Sequence, residues 1–125
     1  MNWEHNILTV RNLLIVRATG KFSVASFENM ILEIHSDKQW SPGMDCLIDY
    51  SALDVSETRY DDILNATSIH KKYDTQIGVG RVAVVLGGAV HFGLGLLYEK
   101  LLGSKVLATV KSFRTADDAR QWLAD

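Results

Sequence analysis

The chain has 125 residues, of which 47% are hydrophobic and 22% are charged, and its formal net charge is −2 at pH 7. This length and composition are typical of a folded protein with its own core, so we expect residues 1–125 to form a single domain. The near-neutral charge excludes nucleic acid as an expected partner, and the single cysteine excludes an internal disulfide.

The first third of the chain predicts two strands followed by a helix. The strand-like runs Ile7 to Val10 and Leu13 to Ala18 are separated by Arg11-Asn12, a spacing that suits a two-residue hairpin. Ser23 is placed to cap the helix that follows. The apolar stripe of this helix has helical spacing and consists of Val24, Phe27, Ile31 and Ile34.

The middle of the chain predicts a buried strand and a second helix. The short apolar run Cys46 to Ile48 suits a strand covered on both faces, and we expect Cys46 to be buried and inert. A helix is expected over Thr58 to Tyr73, because Thr58 and Asp61 have the spacing of a capping box. Its predicted buried stripe consists of Tyr60, Ile63, Leu64 and Thr67.

Residues 82–98 contain no Asp, Glu, Lys or Arg and approach the length of a membrane span. The β-branched run Val82 to Leu86 followed by Gly87-Gly88 instead predicts a strand, a turn and a helix that ends at Gly103. The first residues, Met1 to His5, include an acid and a histidine where a signal peptide would be basic and then apolar. We therefore expect a cytoplasmic protein without integral membrane association.

The last elements are a strand over Val106 to Val110 and a helix capped by Thr115, with Asp118 at capping-box spacing. The predicted order is ββαβαβαβα. Strands that alternate with helices predict an α/β fold, here a mixed, mostly parallel five-stranded sheet with an N-terminal antiparallel hairpin.

Three segments resemble a known group of proteins. They are Gly20 to Ser23 before the first helix, Arg81 to Val85 leading into Phe92-Gly93, and Val110 to Phe113 leading into Asp118 to Leu123. Together they resemble the small bacterial SpoIIAA-like proteins, which are related to STAS domains and are also described as STAS/SEC14-like. The resemblance covers nearly the whole chain in order.

The resemblance implies a fold and two kinds of partner. STAS anti-sigma antagonists bind a kinase and are switched by phosphorylation of a serine in an Asp-Ser-Ser-Gly motif. The corresponding stretch here, Val55 to Tyr60, lacks that pattern, so we expect no kinase-driven switch at Ser56 or Thr58. The SEC14 carriers imply an apolar ligand, although 125 residues leave little room for a lipid-sized cavity.

A ligand or partner site is expected where parallel strands end, because ligands of open α/β sheets gather at the carboxyl ends of the strands. The residues predicted to lie in this crevice are Tyr50, Gly87, Gly88, His91 and Phe92. No nucleophile, base and orienting acid can be assigned among them, and the histidines lack metal-ligand spacing. Gly78-x-Gly80-x-x-Ala83 precedes a strand instead of following one, which excludes a dinucleotide site. No catalytic residue, metal or cofactor is therefore predicted.

Three functions are compatible with these residues. The leading hypothesis is a non-enzymatic binding or regulatory module that acts through protein contacts and self-associates as a homodimer. The alternative is a small carrier of an apolar or anionic ligand held near His91 and Phe92. A small enzyme that uses His91 and Asp49 is the third, and we expect the protein not to be an enzyme.

Overall fold

A six-stranded sheet forms the centre of the protein, as seen in a computed structural model that describes all 125 residues. Five strands lie in the order β1-β2-β3-β5-β6, and the short β4 pairs with β2. The elements in chain order are β1 (Asn2–Leu8), β2 (Leu13–Lys21), α1 (Val24–Ser36), β3 (Asp45–Asp49), β4 (Leu53–Asp54), α2 (Tyr60–Lys72), α3 (Asp74–Ile77), β5 (Arg81–Val85), α4 (Ala89–Leu102), β6 (Thr109–Phe113) and α5 (Ala116–Ala124).

The N-terminal hairpin and the parallel sheet are confirmed. β1 and β2 pair antiparallel, while β3 pairs parallel with β2 and β5, and β6 pairs parallel with β5. The predicted two-residue turn between these strands is wrong. β1 ends at Leu8, and Thr9–Arg11 form a short 3₁₀ helix. Asn12 then takes a left-handed conformation with φ of 53°, which asparagine tolerates better than most residues.

Two strand predictions need correction. The expected five-stranded sheet has six strands, because Leu53 and Asp54 pair with the end of β2 at Gly20 and Lys21. A two-residue strand is too short to show any periodicity in sequence. The last strand runs over Thr109–Phe113 instead of Val106 to Val110, because its pairing with β5 begins with Thr109 opposite Arg81.

The predicted helix ends are confirmed for three helices and wrong for one. Ser23 and Thr115 accept hydrogen bonds from Ser26 N–H and Asp118 N–H, as predicted. The predicted strand, turn and helix over residues 82–103 are also confirmed, with Gly103 ending α4. The cap at Thr58 is wrong: α2 begins at Tyr60, and Asp62 accepts a hydrogen bond from Arg59 N–H at 2.9 Å.

The buried stripe of α2 is rotated from the predicted one. Tyr60 and Leu64 are 55% and 41% exposed, whereas His70 is only 4% exposed. The residues of α2 that are buried are Ile63, Ala66, Thr67 and His70. The stripe therefore extends to the C-terminal end of the helix, and its last member is a histidine facing inward.

Helices cover both faces of the sheet. The larger core lies between the sheet and α1, α2 and α4, and it includes Cys46, which is buried as predicted. Burial raises the pKa of the Cys46 thiol to about 12, so it stays protonated and unreactive. On the opposite face, α5 packs against β3, β5 and β6 through Ala119, whose neighbours are Leu47, Ala83 and Val85.

Candidate functional site

The ends of the central parallel strands meet as predicted. Tyr50 N–H, directly after β3, donates to the carbonyl of Val85 at 2.9 Å. Gly87 and Gly88 then lead into α4, and Gly88 has a φ of 76°, which favours glycine. The backbone after β3 is therefore held beside the turn that opens α4.

The five predicted site residues do not form one pocket. Tyr50 is buried and lines an apolar cavity, whereas Gly87, Gly88, His91 and Phe92 lie outside that lining. Gly88 is exposed, and His91 and Phe92 are half-buried in the first turn of α4. The guanidinium of Arg114 lies 4.9 Å from the centre of the Phe92 ring, so this ring faces a cation. A site at these four surface residues stays a prediction.

An apolar cavity of about 140 Å³ lies between the sheet and helices α1, α2 and α4. Of the 24 residues that line it, 19 are hydrophobic, and none is Lys, Arg, Asp or Glu. Its floor is formed by inward-facing residues of β3 and β5, including Ile48, Val82 and Val84. The sequence did not predict this cavity.

Packing of the helices explains why the cavity exists. Ile48, Val82 and Val84 belong to central strands under a layer of helices, yet all three are only half-buried. Helix α2, whose Ile63 and His70 also line the cavity, packs mainly against α1 and α4. Helix α2 is therefore held mainly by the neighbouring helices, and a gap remains above the cavity floor.

One buried polar pair interrupts the apolar wall. Nδ1 of His70 lies within hydrogen-bond distance, 2.8 Å, of the Tyr98 hydroxyl, and both side chains line the cavity. Nε2 of His70 is buried and has no hydrogen-bond partner in the protein. Buried polar atoms in native proteins nearly always have a partner, so a ligand atom that reached this nitrogen from the cavity would satisfy it.

Burial keeps both members of the pair neutral. It lowers the pKa of His70 to about 4, so the imidazole is uncharged at pH 7. It also raises the pKa of the Tyr98 hydroxyl well above 10, and the neighbouring Tyr50 hydroxyl is affected in the same direction. The cavity therefore offers neutral hydrogen-bonding groups and no formal charge.

From the sequence alone, the position of His70 near the end of its helix suggests a side chain that complements the helix dipole. Its spacing from Ile63, Ala66 and Thr67 is the signal that would have placed it in the core, because these positions share one helical face. Tyr98 carried no comparable signal, since the apolar residues of α4 surround the helix.

Asp49, one of the two residues of the enzyme hypothesis, is engaged in a loop contact. The Asp49 carboxylate accepts hydrogen bonds from the Ser51 N–H at 2.9 Å and the Ser51 hydroxyl at 2.6 Å, which makes it a loop cap. No group of three or more His, Cys, Asp or Glu side chains is arranged to hold a metal ion.

The Gly-x-Gly segment before β5 has a packing role. A Cβ on Gly80 would lie 2.7 Å from the carbonyl oxygen of Met44 and would collide with it. Gly78 has a φ of 80° and faces the backbone of Gly43 at equally close range. These glycines let two backbone segments approach each other closely.

Comparison with known proteins supports the architecture. Neither a protein-family model nor a curated protein of related sequence matches the chain. Among solved structures, it is similar to an uncharacterised protein of the DUF3478 family with a SpoIIAA-like fold from Shewanella loihica PV-4. The TM-score is 0.61 over 97% of this chain and 93% of the other, at 20% sequence identity. The protein has a SpoIIAA-like fold.

The resemblance noted in the sequence implied that the phosphorylation motif of the STAS antagonists would correspond to the loop before α2. Here the Ser56 N–H donates to the Asp54 carboxylate at 2.9 Å, and the Thr58 N–H donates to the Val55 carbonyl at 3.0 Å. The absence of a kinase switch at these hydroxyls stays a prediction. None of the helices is both long enough and apolar enough to span a membrane.

Proposed function

We propose that the protein is a non-enzymatic binding protein whose ligand is a small apolar molecule held in the cavity between the sheet and helices α1, α2 and α4. The observation that carries this proposal is an apolar cavity of about 140 Å³ whose lining includes His70, a residue with a buried and unpaired Nε2. Small-molecule sites are typically apolar concavities in which a small number of polar groups face the ligand.

The size of the cavity limits the ligand. An engineered apolar cavity of about 150 Å³ in another protein binds benzene, so this cavity suits a single ring or a short chain. A lipid with two acyl chains is far larger than the cavity of about 140 Å³. We therefore propose an apolar ligand, as the SEC14-like resemblance implied, but not a membrane lipid.

The chemistry of the wall favours binding over catalysis. The thiol of Cys46 is protonated, the His70 imidazole is neutral, and no carboxylate lies in the wall to orient it as a base. An anionic ligand, the other possibility raised by the sequence, would find no counter-ion there. These features support a neutral ligand that is bound without reaction.

Toluene titration followed by amide chemical shifts and by the thermal unfolding midpoint tests the proposal. We expect toluene to raise the midpoint and to perturb the amides of Tyr50, Leu94 and Gly95, which line the cavity. Native mass spectrometry of protein purified from its own cells should show a copurifying small molecule.

Two matched variants locate the binding. Val84→Phe places additional ring atoms on the cavity floor and should abolish the toluene shift. Val10→Phe makes the same substitution at a residue that is 99% exposed, and it should leave toluene binding unchanged. Toluene shifts confined to Asn6–Asn12, or a shift that survives Val84→Phe, would contradict the proposal.

Contact with another protein is the second candidate. Helices α2 and α4 pack against each other and expose large apolar side chains, namely Tyr60, Leu64, Val90 and Leu96. Light scattering over a range of concentrations tests for the homodimer expected from the sequence. Leu64→Ser should weaken such a dimer, whereas Leu32→Ser, an exposed leucine on α1, should not. A monomer at every concentration would contradict self-association.

A further inference from the structure

We infer that the ligand carries a neutral hydroxyl group on its apolar body, as phenols and short alcohols do, and that His70 and Tyr98 bind this hydroxyl. The inference rests on the proposed function, since it specifies the ligand of the same cavity. It starts from the unpaired Nε2 of His70, a side chain only 4% exposed.

The hydrogen bond between the two side chains can form in two ways. If the Tyr98 hydroxyl donates to Nδ1 of His70, the imidazole proton lies on Nε2 and is free to donate to a ligand. If Nδ1–H donates to the Tyr98 oxygen, Nε2 becomes a free acceptor and the Tyr98 hydroxyl keeps a free proton. Each arrangement leaves the pair with an unused donor and an unused acceptor, and the acceptor is the Tyr98 oxygen in the first and Nε2 in the second.

A hydroxyl is the ligand group that satisfies both arrangements, because it can donate one hydrogen bond and accept others. A carbonyl can only accept, and it would leave Nε2 unpaired in the second arrangement. A hydrocarbon would leave Nε2 buried and unpaired in both. Leaving a buried donor or acceptor unpaired corresponds to a loss of about tenfold or more in affinity.

Charged ligand groups are disfavoured by the same wall. A carboxylate or phosphate would enter an apolar cavity that no Lys or Arg lines, and an ammonium would meet no Asp or Glu. The pKa of His70 is lowered to about 4 by burial, so the imidazole does not supply a positive charge at pH 7. The cavity therefore selects a polar group that is neutral.

Phenol and toluene are a suitable pair of probes, because they differ only by a hydroxyl in place of a methyl group on the same ring. Their dissociation constants are measured on the wild type and on His70→Leu, and the ratio of the two constants reports the hydroxyl contact. We expect His70→Leu to shift the preference from phenol toward toluene by about tenfold or more.

His5→Leu is the matched control. His5 is also half-buried, but it lies outside the cavity lining, and its Nε2 is 2.9 Å from the Asp37 carboxylate. This variant should leave the ratio for phenol and toluene unchanged. A shift of the ratio in His5→Leu equal to that in His70→Leu would overturn the inference.

A measurement on the wild type covers the case in which His70→Leu does not fold. The imidazole ¹⁵N resonances are recorded at saturation with each probe, and phenol should move the Nε2 signal of His70 while toluene leaves it in place. An Nε2 signal that does not move with bound phenol would overturn the inference and leave the proposed function intact. Failure of both probes to bind the wild type would overturn the proposed function itself.

Discussion

His70 on α2 and Tyr98 on α4 face each other with Nδ1 and the hydroxyl oxygen 2.8 Å apart and with ring centroids separated by 6.0 Å. This contact joins the two helices at the wall of the cavity. A hydrogen bond fixes the orientation of both rings more strictly than apolar packing does, because it depends on angle as well as distance. The position of Nε2 is therefore set by the protein before any ligand binds.

The buried imidazole predicts that folding stability depends on pH. The pKa of His70 is about 4 in the folded protein, against 6.5 for an ordinary histidine, so the unfolded chain binds more protons between these values. The free energy of unfolding should therefore fall as the pH drops from about 6.5 toward 4. The contribution of His70 is at most about 3 kcal/mol, and urea unfolding across this range measures it.

His70→Gln is the variant that isolates this effect, because glutamine does not titrate. Its stability should change less between pH 7 and pH 4.5 than that of the wild type. His35→Gln should flatten the profile to a smaller extent, since the pKa of His35 is also lowered by burial but its ring keeps contact with solvent. Parallel profiles for the wild type and His70→Gln would contradict the assignment.

Two glycines in α4 predict opposite effects of the same substitution. A Cβ at Gly93 would meet nothing within 4 Å, so Gly93→Ala should stabilise the protein by about 0.5–1 kcal/mol through helix propensity. A Cβ at Gly95 would lie 2.5 Å from the Ser112 hydroxyl and 2.7 Å from a methyl of Leu86. Gly95→Ala should therefore destabilise it by about 1–3 kcal/mol. Thermal unfolding of both variants checks the sign, and equal shifts would contradict the close approach of α4 to β6.

The start of α2 gives a prediction about capping. Asp62 accepts the Arg59 N–H at 2.9 Å and lies in the first turn, so Asp62→Ala should destabilise the protein by about 0.5–1.5 kcal/mol. Thr58→Ala should change the free energy of unfolding by less than about 0.5 kcal/mol, because Thr58 is not the cap. Denaturant unfolding distinguishes the two positions. A larger loss at Thr58 than at Asp62 would contradict the observed cap.

The fold was largely predictable because its signals are local. The change from alternating to helical periodicity at Ser23, the glycine pair after Val82 to Leu86 and the cap at Thr115 each mark a boundary by the chemistry of one or two residues. The errors fall where pairing between distant segments decides the structure. The two-residue strand Leu53–Asp54 exists only because Gly20 and Lys21 lie beside it.

The cavity could not be predicted for a different physical reason. A cavity is a mismatch between the spacing of helices and the size of side chains, and neither quantity appears in a sequence pattern. The sequence could indicate only that His70 points inward, because His70 lies on the same helical face as Ile63 and Thr67. The strand-end rule did select Tyr50, which reaches the cavity wall, but it gave no indication of Tyr98.

The docking of α5 gives the last prediction. The Trp122 ring lies 5.5 Å from the Phe113 ring, and the Trp122 carbonyl accepts a hydrogen bond from Arg81 at 2.6 Å, yet the side chain is only half-buried. Trp122→Ala should therefore destabilise the protein by about 1–2 kcal/mol, whereas Leu102→Ala, at a residue only 1% exposed, should cost about 3–5 kcal/mol. Denaturant unfolding of both variants gives the order. A greater loss at Trp122 would mean that α5 covers the sheet more deeply than this half-buried ring indicates.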